Sequence, residues 1–285
     1  MSHDKSESDT VSPTHTGQSV GELPDIGIGT YDVTADTCAS TVRTALACGY
    51  RHVDSAEMYG TEAAVARAIE ESSVDGDEVF VATKIHSKNL AYEDVLDSAE
   101  ASRERLGVET LDLLYVHWPI RAYDPGETLA AFDELYDRGT IRHVGLSNFT
   151  PELLTEALDL LDAPLFAHQV ECHPLLQQKE LRQLACEHDH YLVAYSPLAK
   201  GAVTEVTELV TIAEEYDATP AQVALSWLRS KDRVVAIPKS SDREHIRENY
   251  GAKTLELDAD ALERIDEIDQ VKRVVNFPEA PWNVE

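Results

Sequence analysis

The sequence has only four cysteines in 285 residues, and no two of them form a Cys-x-x-Cys pair. Cys38, Cys48, Cys172 and Cys186 are too scattered for a disulfide framework or a zinc ribbon. They read as reduced thiols of a cytoplasmic protein. No apolar run approaches the roughly 18 residues that a membrane span needs. Residues 1–20 lack the apolar centre of a signal peptide and read as a disordered polar tail. Cations are scarce: 9 Lys and 15 Arg stand against 53 Asp and Glu, for a formal charge of −29. Such a surface repels phosphate backbones and anionic bilayers, which removes nucleic acid and membranes as partners. A Gly-x-Gly-x-x-Gly loop is also missing. That absence makes a doubly wound dinucleotide fold the weaker of two α/β architectures.

What remains is enough to build a core, since 43% of the residues are hydrophobic. The acids are spread along the chain rather than gathered in a tail. Evenly spread acid with little Lys reads as a solvation device of the halophilic kind.

Short apolar runs alternate with amphipathic stretches. The runs are 50–54, 79–84, 111–117, 141–147, 166–171, 191–195 and 233–238, each of strand length and rich in β-branched or aromatic residues. Helical spacing marks 36–48, 62–70, 92–106, 127–138, 152–161, 179–187, 205–216 and 220–229. Pro151 and Pro220 each follow a threonine that caps a first turn. Alternation of this kind gives parallel strands with right-handed crossovers. Seven strands are clear, and an eighth is expected within 198–206, at the short run 202–206. Eight units close a single-domain (β/α)8 barrel over residues 21–285.

Chemistry in such a barrel sits at the C-terminal ends of the strands. The runs end in Asp54, followed by Tyr59, and in Lys84, His117, Ser147-Asn148, Gln169 with Glu171, Tyr195-Ser196 and Lys239-Ser240-Ser241. Any one of these has a bland reading as a cap, a solvated edge or a core histidine. Convergence of Asp, Tyr, Lys and His on one mouth is different. A tyrosine there donates a proton, and a lysine held by an aspartate is expected to lower the phenol's pKa.

The segments VDSAEMYGTE, ATK, YVHWP, GLSNF, QVECHP, AYSPLAKG and IPKSSDREHIREN occur in this order. Together they resemble the aldo-keto reductase family over about residues 22 to 284. The short 198–206 and 120–127 segments resemble its diketogluconate and methylglyoxal reductase branch. The resemblance implies reduction of a small-molecule carbonyl by a reduced nicotinamide cofactor, in a protein that is commonly a monomer. It implies Tyr59 as general acid, Asp54 and Lys84 as its tuning pair, and His117 as the group that orients the carbonyl oxygen. Ser147, Asn148 and Gln169 would hold the carboxamide and Tyr195 would stack on the ring. Ser196 and Leu198 would line the pyrophosphate path. Lys239, Ser240, Ser241, Arg243, His245, Glu248 and Asn249 would meet the adenosine end. His86 and Trp118 would wall the substrate pocket, and no metal takes part.

Two departures bear on the cofactor. His245 stands where relatives that bind a 2′-phosphate carry Arg, and Asp242 is an acid where some carry Arg. NADPH is the first expectation, with NADH or dual use open. Segment 273–283 either folds over the pocket mouth or is a surface tail. Two rival functions stay in view: a Schiff-base aldolase using Lys84, and a non-catalytic nicotinamide-binding regulatory subunit.

The charge itself generates a prediction. Salt screens the self-repulsion of a −29 chain, so stability and activity rise from dilute buffer to molar salt. Thermal melts and initial rates over a KCl series check this, and a protein equally stable and active in dilute buffer rejects it.

Overall fold

The computed structural model describes residues 23–284, so the expected tail at 1–20 lies outside the described residues. Eight parallel strands lie in sequence order: β1 Ile28–Gly29, β2 His52–Asp54, β3 Phe80–Ile85, β4 Leu111–Val116, β5 Ile141–Ser147, β6 Leu165–Glu171, β7 Tyr191–Tyr195 and β8 Val234–Ala236. The sheet closes on itself through backbone bonds from the last strand to the first. Gly27 N–H donates to Ala236 O at 2.8 Å, Ala236 N–H to Asp25 O at 3.1 Å and Gly29 N–H to Pro238 O at 3.1 Å. Closure leaves no sheet edge, and the fold is a (β/α)8 barrel.

The first strand corrects one expectation. Residues 199–205 form a 3-10 segment rather than a strand, with Lys200 and Gly201 in the left-handed region. The missing strand is instead the two-residue β1 at the start of the chain. Its neighbourhood gives no apolar run because its inward positions are glycines. A Cβ at Gly27 would lie 2.5 Å from His52 Nδ1, so only glycine fits beside that ring.

The seven other strands fall within one or two residues of the sequence reading. The helices that cross between strands are α1 Ala35–Cys48, α2 Glu62–Glu70, α3 Tyr92–Leu106, α4 Pro125–Asp137, α5 Pro151–Leu160, α6 Lys179–Glu187, α7 Thr207–Glu215 and α8 Pro220–Arg229. Two more, α9 Arg243–Gly251 and α10 Ala259–Asp266, follow β8. Thr150 accepts from Leu153 N–H, and Thr219 closes a capping box with Gln222, each ahead of a proline at the first turn. Most apolar side chains pack between strands and helices. A smaller interior cluster fills the barrel, with Leu23, Phe80, Leu113, Tyr115, Val193, Val235 and Ile237 among its members. Tyr115 presses on β5: a Cβ at Gly145 would lie 2.3 Å from its ring.

Strand alternation turns every second side chain inward, and the inward residues nearest the C-terminal rim are the polar ones. At the other extreme are histidines without hydrogen-bond partners. Both ring nitrogens of His52, His168 and His190 are buried and unpaired. Burial pushes His52 and His190 down to about 4 and His168 down to about 3.

These histidines are neutral in the fold and bind protons in the unfolded chain between pH 6.5 and 4. The unfolded state therefore carries more protons in that window, and stability falls as pH falls through it. The expected loss is at least about 3 kcal/mol between pH 6.5 and 4.5 by urea titration, reduced in His168→Gln. A flat pH profile over this window overturns the assignment.

Candidate active site

Lys84, next to last in β3, lies inside the barrel mouth with a side chain 1% exposed, against Asp54 of β2 at 4%. Its ammonium donates to Asp54 Oδ1 at 2.5 Å and to the Ser55 carbonyl at 2.6 Å. Gln169 Nε2, from β6, donates to the other Asp54 oxygen at 2.7 Å. Thr30 Oγ1 donates to the Asp54 carbonyl at 2.9 Å, tying the segment after β1 to β2. A buried ion pair persists only when its remaining donors and acceptors are also met, and here three strands meet them. Burial lowers the Lys84 pKa, with Asp54 opposing.

Tyr59 reaches this pair from a 3-10 turn, Glu57–Tyr59, that follows β2. The Lys84 ammonium lies 5.2 Å from its ring centre, and the His117 ring lies 5.8 Å away, edge to face. Among the described residues no hydrogen bond joins the Tyr59 hydroxyl to Lys84. Burial holds the phenol well above its ordinary range, and the Asp54 charge adds to the rise. The expected lowering by Lys84 is therefore reversed. The physical reason is the pairing itself: an ammonium neutralised by a carboxylate at contact has little net field to offer a third group. His117 is also desolvated and beside Lys84, so its ring pKa falls well below the usual value and it stays neutral.

The carboxamide candidates form one network. Ser147 Oγ donates to Gln169 O at 3.0 Å, Asn148 Nδ2 donates to His117 O at 2.9 Å, and Tyr195 OH donates to Asn148 Oδ1 at 2.7 Å. Asn148 adopts φ 67°, a left-handed conformation that Asn tolerates better than most residues. Ser196, also at positive φ, and Leu198 follow β7 at the same rim. Lys239 sits beside β1, its Cβ 3.5 Å from the place a Gly29 Cβ would take. Ser241, Arg243 and His245 are exposed at the start of α9 and Ser240 is half-buried. Asp242 caps that helix, accepting from Glu244 N–H at 2.8 Å and His245 N–H at 3.1 Å. Asn249 is buried, while Glu248 accepts from Thr219 Oγ1 at 2.7 Å and so braces the start of α8.

His86 and Trp118, the residues expected to wall the substrate pocket, are both half-buried at the rim. His86 donates its backbone N–H to Glu57 Oε2 at 2.8 Å, and Glu57 Oε1 accepts from Asn89 Nδ2 at 2.9 Å. One carboxylate thus ties the loop after β3 to the turn bearing Tyr59. Trp118 packs against Phe277 and Trp282, with ring centres 4.8 and 5.6 Å apart. Segment 273–283 therefore lies against the mouth, which settles the two readings left open for it. Sequence reasoning missed Tyr31, whose ring meets Tyr59 edge-on at 5.2 Å and lines an open cavity of about 440 Å³ with Asp32, Val33, Thr34 and Met58. It also missed Thr30 and Glu57. Glu57 stands inside the tyrosine motif and Thr30 just after β1, but neither residue type announces a bridging role.

All four cysteines are free, and the described residues contain no cluster of three His, Cys, Asp or Glu groups set to hold a metal. Among the described residues no helix is long and apolar enough to cross a membrane.

The aldo/keto reductase family pattern matches residues 25–270. The chain belongs to the aldo-keto reductase family. An aldo-keto reductase of Mycobacterium avium is 36% identical over 274 residues, covering 95% of each chain. The 9,11-endoperoxide prostaglandin H2 reductase of Trypanosoma cruzi is 36% identical over 262 residues, covering 90% of this chain and 92% of that one. Among solved structures, an aldo-keto reductase from a Medee basin deep-sea metagenome superposes with TM-score 0.87 at 33% identity, covering 93% and 97%. A protein assigned as 2,5-diketo-D-gluconic acid reductase B gives 0.86 at 32%, covering 90% and 92%. All four of these relatives are named as reductases.

The Lys84–Asp54 pair yields a stability prediction. Lys84→Met leaves a buried carboxylate with no cation and destabilises the aldo-keto reductase by about 3–5 kcal/mol. Adding Asp54→Asn recovers part of the loss. Urea unfolding of both variants measures it, and a Lys84→Met cost under about 0.5 kcal/mol defeats the argument.

Proposed function

We propose that this chain reduces aldehydes or ketones, including small keto-aldehydes and sugars, to alcohols with Tyr59 as the proton donor. The observation that carries the reading is the convergence of buried Asp54, Lys84 and His117 with half-buried Tyr59 at one barrel mouth, beside the Ser147–Asn148–Gln169–Tyr195 network. When bound, a reduced nicotinamide supplies hydride to the substrate carbonyl carbon. The amides of Asn148 and Gln169 match a carboxamide in chemistry, and the Tyr195 ring beside them offers a flat face at the rim.

The residues divide the remaining work. Neutral His117 presents a ring N–H to the carbonyl oxygen and orients it. Tyr59 carries its proton at neutral pH, as any phenol does, and the developing alkoxide is basic enough to take it even from a phenol whose pKa burial raises. Lys84 and Asp54 hold the wall against which the phenol rests and keep its approach fixed.

The Schiff-base reading is weaker on the same geometry. A lysine 1% exposed and hydrogen-bonded to Asp54 and the Ser55 carbonyl is not free to attack a carbonyl. The regulatory-subunit reading leaves four converging groups without a task. NADPH is the proposed cofactor, with Lys239, Ser240, Ser241, Arg243, His245 and Asn249 at its adenosine end; NADH is the runner-up because Asp242 places a carboxylate there. The reduced thiols fit a cytoplasmic protein, and the family resemblance implies a monomer, with the barrel domain over 21–285.

Tyr59→Phe tests the acid assignment. It lowers kcat for aldehyde reduction by at least about a hundredfold while the dissociation constant for NADPH stays within about threefold. Absorbance at about 340 nm, which falls as reduced nicotinamide gives up its hydride, gives the first, and quenching of tryptophan fluorescence gives the second. Wild-type turnover in Tyr59→Phe removes Tyr59 from the mechanism. Running the wild type with both cofactors decides the rest: kcat/KM with NADH equal to or above that with NADPH overturns the cofactor preference.

A further inference from the structure

The C-terminal arm, residues 272–284, is bonded within itself at its far end, where Asn276 Oδ1 accepts from Trp282 Nε1 at 3.0 Å and Asn283 Nδ2 at 2.7 Å, so its place on the barrel is set by what holds the near end. Its one regular element is a 3-10 turn at Pro281–Asn283, and the residue before the arm, Val271, is 79% exposed. The arm's anchor lies in the barrel. Glu171 ends β6 with its side chain fully out of water. One of its oxygens accepts the Val274 N–H at 2.6 Å and the other accepts the Val275 N–H at 2.7 Å. His173 Nε2 meets the first oxygen at 3.0 Å. Just upstream, Lys272 N–H donates to Leu175 O at 2.8 Å. Two consecutive amides converging on one carboxylate fix both the position and the direction of the chain.

Beyond the anchor the arm turns aromatic. Arg273 lies 3.9 Å over the Trp282 ring, and Trp282 and Phe277 both lie against Trp118. Trp118 in turn stacks beside His117 with ring centres 6.4 Å apart. Arg121 pairs with Glu279 on the outside, at 42% and 58% exposure, where an ion pair contributes little. The buried carboxylate is therefore the strong contact, since hydrogen bonds to an ionised acceptor are about twice as strong as neutral ones.

We infer that Glu171 is a positioning residue for substrate selection. Its carboxylate holds the arm by the Val274 and Val275 amides and thereby sets Phe277 and Trp282 against Trp118 as the pocket wall beside His117. The inference rests on the proposed carbonyl reduction at this mouth. It selects for substrate size, because the wall is placed by backbone bonds and its aromatic side chains only fill the space.

Hydrogen–deuterium exchange on the ligand-free protein reads the anchor directly. Glu171→Gln keeps the shape but turns one acceptor into a donor facing an N–H. Amides in 273–277 then exchange about tenfold faster while β4 and β5 amides do not change. With methylglyoxal and phenylglyoxal as probes, the ratio of their KM values shifts about fivefold in Glu171→Gln, and kcat falls by no more than about twofold. Phe277→Ala gives the same shift, and the double variant adds nothing to it. If Glu171→Gln does not fold, Val275→Pro removes one donor and leaves the barrel carboxylate, and the same amides and KM ratio decide. Unchanged exchange in 273–277, or additive KM effects in the double variant, overturns the role of Glu171. Failure of the wild type to reduce either probe, or any other carbonyl, overturns the reductase reading instead, and the exchange result still decides the anchor.

Discussion

An ammonium and a carboxylate almost wholly removed from water need every remaining donor and acceptor met, and the mouth of this barrel is arranged around that demand. Lys84 spends its protons on Asp54 and on the Ser55 carbonyl, and Asp54 spends its second oxygen on Gln169. Both Lys84 partners lie at the end of β2 and Gln169 lies on β6, so the pair ties β3 to β2 and β2 to β6 at the rim. The Gln169 carbonyl receives Ser147, and Asn148 reaches the His117 carbonyl and receives Tyr195. Polar contacts therefore run around the mouth from β2 to β7. Such an arrangement has few alternatives, because loosening one member strands a buried charge.

That constraint also explains the behaviour of Tyr59. Lysine and tyrosine close together suggest a phenol made acidic by a neighbouring cation. The cation here is already neutralised, and the dominant effect on the phenol is the loss of water. A group that keeps its proton suits donation to an alkoxide. The neutral His117 fits the same scheme: it offers a hydrogen bond and adds no charge to the site.

Much of this was readable in the residues. Strands β2 to β8 announced themselves through apolar runs, and the polar residues that end them were found by counting from those runs. The first strand was hidden because its inward positions are glycines that yield to His52 and to the β8 backbone. Periodicity does not register a strand that has no side chains to alternate. The start of α9 was visible as a motif, yet the sequence did not say that Asp242 would spend its carboxylate on the helix's own amides. Glu171 was seen as a strand-end acid, but its partners lie about a hundred residues away in the arm. No local pattern encodes a bond between a side chain and a distant backbone amide.

The contact between Tyr115 and β5 carries a consequence for how this sequence can change. A Cβ at position 145 would fall inside the van der Waals envelope of the Tyr115 ring, with three ring atoms within 3 Å. The tyrosine cannot retreat, because it fills the barrel interior with no exposed surface. Glycine at 145 and a large ring at 115 are thus two halves of one decision. A lineage that gains a side chain at 145 must first trade the tyrosine for something smaller, and a lineage that keeps the tyrosine has that strand position closed to variation. The two sites are locked to a single order of substitution, although nothing in their chemistry touches the substrate.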